Sequence, residues 1–308
     1  MVKKSRFQEV RIPLGNGEGL YSTFLKPNNE PDRVVFIPPL IGANAELQTA
    51  TFRSLANNGS EIFSFEYRGH RRSSGNFSLE NSIEDTGSAL KWINQYSENR
   101  NLPLHVVTMC YGTIPLLLSL QKSEDGLNIR SVNGVSSLFS LDYILKVEAL
   151  LPFILNEVVN KKVEHDRLAG MVKSGEVDVT TTGFVRSVSD YLKGIFPDLD
   201  IGEDHFAELK YGRTDIRGVI SQFLTGFSID AKVPKSISCN FFYGARDSIL
   251  GLTSREKKDK YVLDARRIAP HAQLHEVDID HFGKGQGRQA VLESLCDIFG
   301  KVDASCKK

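Results

Sequence analysis

The sequence carries no excess of either charge. Lys plus Arg and Asp plus Glu number 38 each over 308 residues. Such a chain has no global attraction to nucleic acid or to an anionic membrane surface. Cysteine is sparse, and Cys110, Cys239, Cys296 and Cys306 stand far apart with no C-x-x-C pair. Neither a disulfide framework nor a zinc site is therefore expected. No apolar run reaches the roughly 18 residues that a bilayer span requires. The opening "MVKKSRFQEVRI" is basic but has no apolar stretch behind its charges, so no secretory signal is expected. The expected setting is the reducing cytoplasm, where Cys110 stays a thiol. Internal repeats and low-complexity tracts are missing, and nothing in the pattern calls for a cofactor or a metal. The 41% hydrophobic and 25% charged content is that of a globular chain able to stabilise its own core.

What is present is alternation. "FQEVRIPLGNGEGLYSTFLKP" reads as two strands around a Gly-Asn-Gly turn. "RVVFIPP", "EIFSFEYRG", "LHVVTM", "RSVNGVSSL", "SISCNFFYGARDS" and "AQLHEVDIDHFG" are short apolar strands ending in turn residues. Between most of them lie helical patterns. "SLENSIEDTGSALKWINQYSENR" has Ser78 as its N-cap and acids in its early turns. "GTIPLLLSLQK" carries Pro115 in its first turn, where proline is tolerated. "TSREKKDKYVLDARRIA" and "GRQAVLESLCDIFGKV" close the series. This rhythm predicts an α/β chain: a mostly parallel central sheet covered by helices on both faces. The alternation breaks between residues 141 and 230, where the pattern is mainly helical. The expected division is a core of residues 1–140 and 231–308, with 141–230 inserted as a helical lid after the sixth strand. The lid would cover the carboxyl edge of the sheet, where open α/β sheets bind ligands.

Chemistry-bearing residues gather at the ends of the strands. In "VVTMCYGTIPLL" a strand runs into Cys110 and a helix runs out. A strand–turn–helix of this kind exposes a nucleophile and demands small neighbours; here they are Thr108 and Gly112. Asp247 follows a late strand and His281 follows the last. Nucleophile, acid and histidine each sit in a loop that opens at one sheet edge, so Cys110, Asp247 and His281 can converge as a triad. After "RVVFI", Pro38 and Pro39 have no N–H to offer, which leaves Leu40, with Ile41 as the fallback, to join the N–H of Tyr111 in an oxyanion hole. "FEYRGHRRSSG" offers Arg68, His70, Arg71 and Arg72 as a basic rim, but a solvated turn is the simpler expectation.

Together these motifs resemble the α/β-hydrolases, over about residues 30–140 and 233–300. T-M-C-Y-G departs from the family's G-x-S-x-G elbow at two positions, and "FEYRGHRRSSG" from its D-x-R-G-H-G-x-S loop. A cysteine triad is similar to that of dienelactone hydrolases. Length and lid more closely resemble acyl-carrier thioesterases and cysteine-dependent acyltransferases. The resemblance implies an acyl thioester substrate, with a phosphopantetheinylated carrier protein or CoA as its bearer. It also leaves open a small-ester or lactone hydrolase and a relative without catalysis. Sulfur favours the first: attack by Cys110 on a thioester yields another thioester, so group-transfer potential is kept.

Overall fold

The computed structural model describes residues 6–40, 43–122, 126–139, 229–247, 250, 252–280 and 285–306. Eight strands among them form one sheet in the order β1-β2-β4-β3-β5-β6-β7-β8. They are β1 (Phe7–Pro13), β2 (Gly19–Leu25), β3 (Arg33–Ile37), β4 (Ser60–Phe65), β5 (Leu104–Met109), β6 (Ile129–Val135), β7 (Ser238–Gly244) and β8 (Gln273–Val277). β2 pairs antiparallel with β1 and β4, and every pairing from β4 across to β8 is parallel.

Six helices lie among the described residues: α1 (Ala45–Thr51), α2 (Arg53–Asn57), α3 (Leu79–Asn99), α4 (Thr113–Lys122), α5 (Arg255–Ile268) and α6 (Gly287–Ser305). The stretch "AELQTATFRSLANN", one helix in the sequence pattern, breaks at Phe52 into α1 and α2. Ser78 caps α3 as expected, its hydroxyl accepting the N–H of Asn81. The shorter α5 is capped in the same way by Ser254, which accepts from Lys257.

The period of two along each strand divides the interior into two cores. Leu104 and Val106 of β5 enter the core with α3 and α4, beside Phe36, Phe63 and Leu90. Val107 and Met109 enter the opposite core with α2 and α6, beside Ile37, Leu55 and Leu295. Each such fully buried side chain contributes about 1.5–3 kcal/mol relative to exposure, which is why these strands read as nearly continuous apolar runs.

Residues 140–228 lie between β6 and β7, so nearly all of the expected lid falls outside the described residues. The chain on its two sides meets: Ile229 donates its N–H to the carbonyl of Phe139 at 3.3 Å. The core is therefore assembled from strands on both sides of that stretch.

One polar line crosses the second core. Asp303 of α6 meets His105 Nε2 at 3.0 Å, and His105 Nδ1 meets Ser131 Oγ at 2.8 Å. Asn133 donates to Ser131 at 2.7 Å, and Asn240 donates to Asn133 at 3.0 Å. The line ties the last helix to three central strands. Burial lowers the His105 pKa; Asp303 opposes the shift, and Arg33 and Arg130 reinforce it. A histidine with a lowered folded pKa stabilises the fold above its unfolded value of about 6.5 and loses that contribution as pH falls below it. Urea midpoints between pH 7 and pH 5 should therefore fall more steeply for the wild type than for His105→Gln. Equal slopes would remove His105 from the acid response.

Candidate active site

β5 ends at Met109, and a single 3-10 turn, Cys110–Gly112, leads into α4. Cys110 has φ +46°, a left-handed conformation that costs a non-glycine residue about 1–2 kcal/mol. The turn leaves Cys110 partly exposed while Tyr111 and Gly112 are buried. Two contacts explain how it persists. A β-carbon on Gly112 would stand 2.6 Å from the Pro38 carbonyl oxygen and 3.2 Å from that of Pro39, so only glycine lets the elbow approach the loop after β3 so closely. Thr113 donates its hydroxyl to that of Thr108 at 3.0 Å, clasping helix to strand across the turn. This gives Thr108, where the resemblance expects glycine, a task of its own. The carbonyl of Cys110 also accepts the N–H of Leu138 at 3.3 Å, which ties the elbow to the exit of β6.

Asp247 lies three residues beyond β7 and is fully buried. Its N–H donates to the Gly244 carbonyl at 3.1 Å, and its carboxylate accepts the N–H of Leu250 at 2.9 Å. The loop after β8 is pressed onto the same spot. Ala245 donates to the Val277 carbonyl at 2.8 Å, Arg246 donates to the Ile279 carbonyl at 3.2 Å, and Arg246 pairs with Asp278 at 2.6 Å. A β-carbon on Gly244 would stand 2.3 Å from the Ile279 oxygen, so this approach also needs glycine. Asp247 and the backbone leading to His281 are thus held side by side. His281 itself lies outside the described residues, as does Ile41.

Leu40 is partly exposed and fringes the same apolar cluster as Cys110. Its carbonyl accepts the N–H of Ala43 at 3.2 Å, while its own N–H makes no hydrogen bond among the described residues. Tyr111 is buried beneath the elbow, its hydroxyl 2.7 Å from Ser82 Oγ, and burial raises its pKa. Beside the end of β5 lies a small cleft bordered by Met109, Val135 and Ile279 and by Val291 and Leu292 of α6. Among the described residues no group of His, Cys, Asp and Glu is placed to hold a metal ion.

The loop "FEYRGHRRSSG" departs from the solvated turn expected of it. Glu66, His70 and Ser73 are buried. Arg72 pairs with Glu66 at 2.8 Å and Glu46 at 2.5 Å and lies 3.3 Å from the centre of the Tyr21 ring. Arg68 pairs with Asp85 at 2.6 Å and Glu84 at 2.7 Å. These guanidinium groups are consumed internally, so they form no basic rim. Burying Glu66 raises its pKa, and Arg72 opposes that shift. The arginines are charge partners of buried carboxylates, which could not otherwise stay ionised there. The sequence reading also missed Tyr67. Its ring is fully buried, and its hydroxyl donates to the Pro39 carbonyl at 3.0 Å.

No protein-family model matches the chain, and no curated protein matches it. Solved structures do. A soluble variant of monoglyceride lipase from Saccharomyces cerevisiae is 13% identical, with 98% of this chain and 97% of that one covered and a TM-score of 0.62. A thermostable carboxyl esterase from Bacillus coagulans is 12% identical, with 96% and 98% covered and a TM-score of 0.61. An esterase from Pyrococcus furiosus is 15% identical, with 96% and 91% covered and a TM-score of 0.53. The sheet order and these likenesses give the chain the α/β-hydrolase fold.

The threonine clasp can be measured. Thr108→Val leaves the Thr113 hydroxyl without its acceptor inside the core, at a cost of about 1–3 kcal/mol. A double-mutant cycle with Thr113→Val, read by denaturant unfolding, should show the double variant less destabilised than the sum of the singles, by at least about 0.5 kcal/mol. Additive losses would contradict the clasp.

Proposed function

We propose that this chain is an acyl-transfer enzyme working through a covalent acyl-Cys110 intermediate, and that thioesters are its substrates. The observation that carries the reading is the strained backbone of Cys110 at the end of β5, a partly exposed thiol at a turn built to hold it there. A cysteine serving only as core filling needs no left-handed backbone. The buried Asp247 beside the backbone that leads to His281 supports the same reading.

In the proposed cycle the Cys110 sulfur, its proton taken by His281, attacks the acyl carbon. A C–S bond forms and the bond to the leaving thiol breaks, with His281 returning the proton to that thiol. Asp247 orients the imidazole and supports its charged form. The amides of Leu40 and Tyr111 hold the oxyanion. A second thiol, or water, then takes the acyl group and regenerates Cys110. Because the first step exchanges one thioester for another, it is close to thermoneutral, and passage to a second thiol remains feasible. A serine would form an oxygen ester, from which transfer to a thiol runs uphill. Residues 141–230 are the proposed lid, which would shield the acyl-enzyme from water and admit the thiol arm of a carrier protein or of CoA. The meeting of Phe139 and Ile229 supports an insertion at that point.

The esterase and lipase names of the structural neighbours favour a second reading, hydrolysis of small oxygen esters. One pair of variants separates the two. Cys110→Ala should abolish turnover of every acyl substrate. Cys110→Ser should keep measurable ester hydrolysis and lose transfer from a thioester to an added thiol by about 100-fold or more, the scale on which a misfitted nucleophile acts. Wild-type hydrolysis of oxygen esters without any gain from added thiol would favour the second reading. Undiminished activity in Cys110→Ala would defeat both.

A further inference from the structure

Tyr67 sits immediately beyond β4, in the loop the sequence marks mainly by its charges. It is walled in by aromatic side chains: Phe65 at 5.1 Å, Phe77 at 5.4 Å, His70 at 5.8 Å and Tyr111 at 6.1 Å between ring centres. Its hydroxyl donates to the carbonyl oxygen of Pro39 at 3.0 Å. Burial raises its pKa well above the ordinary tyrosine value, so the hydroxyl keeps its proton. The acceptor is the informative partner. Pro39 C=O and Leu40 N–H belong to one peptide plane, and no peptide among the described residues is cis. In a trans peptide the two groups point in opposite directions. Anchoring the carbonyl on the buried ring therefore turns the Leu40 N–H away from that ring, and it is the N–H that makes no other hydrogen bond among the described residues.

The anchor is also coupled to the nucleophile. The same Pro39 oxygen lies 3.2 Å from the position a Gly112 β-carbon would take, so loop and elbow share one close contact. Leu40 and Cys110 flank the same apolar cluster. Further along, Glu66 accepts the N–H of Ala45 at 3.4 Å, which fixes the far side of the loop to the same segment that carries Tyr67. The loop after β3 is thus pinned at two points by the residues directly following β4.

We propose that Tyr67 is a positioning residue for the oxyanion hole: its hydroxyl fixes the Pro39–Leu40 peptide plane so that the Leu40 N–H is presented to the acyl oxygen. This rests on the reading of Cys110 as an acyl-accepting nucleophile. It assigns Tyr67 no contact with substrate. Tyr67→Phe keeps the ring and its packing and removes the hydroxyl, with its bond to Pro39 and its contact with Thr86.

The test compares two reactions of the same sulfur. Acylation of Cys110 by a small activated acyl thioester develops negative charge on the acyl oxygen and uses the oxyanion hole. Alkylation by iodoacetamide is a displacement at saturated carbon and does not. Loss of one oxyanion donor costs about 100- to 1000-fold, so a misaligned donor in Tyr67→Phe should slow acylation by roughly 10- to 100-fold. The alkylation rate should stay within about twofold of wild type. Phe77→Leu, which loosens the same aromatic cluster and leaves the hydroxyl in place, should lower thermal stability without changing the ratio of the two rates. Acylation that is unchanged in Tyr67→Phe, or a ratio that falls equally in Phe77→Leu, overturns the positioning role alone. A wild-type protein that alkylates at Cys110 but accepts no acyl group overturns the underlying reading and the positioning role with it.

Discussion

The missing β-carbon at Gly112 lets the Cys110 turn settle against the carbonyls of Pro38 and Pro39. That contact joins the turn after β5, which carries Cys110 as the proposed nucleophile, to the loop after β3, which carries a candidate oxyanion donor. The left-handed Cys110 is unfavourable in itself, so it persists only where its surroundings over-determine it. The Thr108–Thr113 clasp holds the turn from within. The hydrogen bond from Leu138 holds it from the neighbouring strand. At that strand's exit, Ser136 is also left-handed, at φ +47°, with its N–H donated to Phe242 at 2.8 Å. Among the described residues, two of the four left-handed non-glycine residues, Cys110 and Ser136, thus follow the ends of adjacent strands at one edge of the sheet. Strain gathered at one edge is a reason to look for chemistry there, because local cost is tolerated where function requires it.

The core of the fold was legible because burial writes itself into apolar runs. "LHVVTM" and "RVVFI" read as central strands, and they are. The cap of α3 was equally plain, since Ser78 does local work that does not depend on the tertiary fold. The order of Cys110 and Asp247 along the chain, each just past a strand, placed both at the carboxyl edge of the sheet.

What was not legible depends on partners distant in sequence. Arg72 looks like a surface charge until Glu46, twenty-six residues earlier, and the ring of Tyr21 close around it. The same holds for Arg68 and Asp85. A local reading of "FEYRGHRRSSG" counts its charges and concludes that water covers them, whereas the fold buries them by pairing. Tyr67 escaped notice for the opposite reason. Its hydroxyl bonds to a main-chain carbonyl, and no residue type at position 39 signals that. Thr108 was an anomaly when compared with a glycine pattern, and its hydroxyl contact with Thr113 gives it a local reason.

The chemistry proposed here turns on sulfur. Cleaving an oxygen ester does not require a cysteine, and a thioester on Cys110 would be a more reactive intermediate than an ester on serine. That reactivity is useful when the acyl group must pass to another thiol. The most direct measurement is peptide-mapped mass spectrometry of the protein quenched in acid within seconds of mixing with a small panel of acyl thioesters. The account predicts one added acyl group, located on Cys110, released when a second thiol is supplied. An unmodified Cys110 across the panel, or an acyl group found only on other side chains, would contradict it.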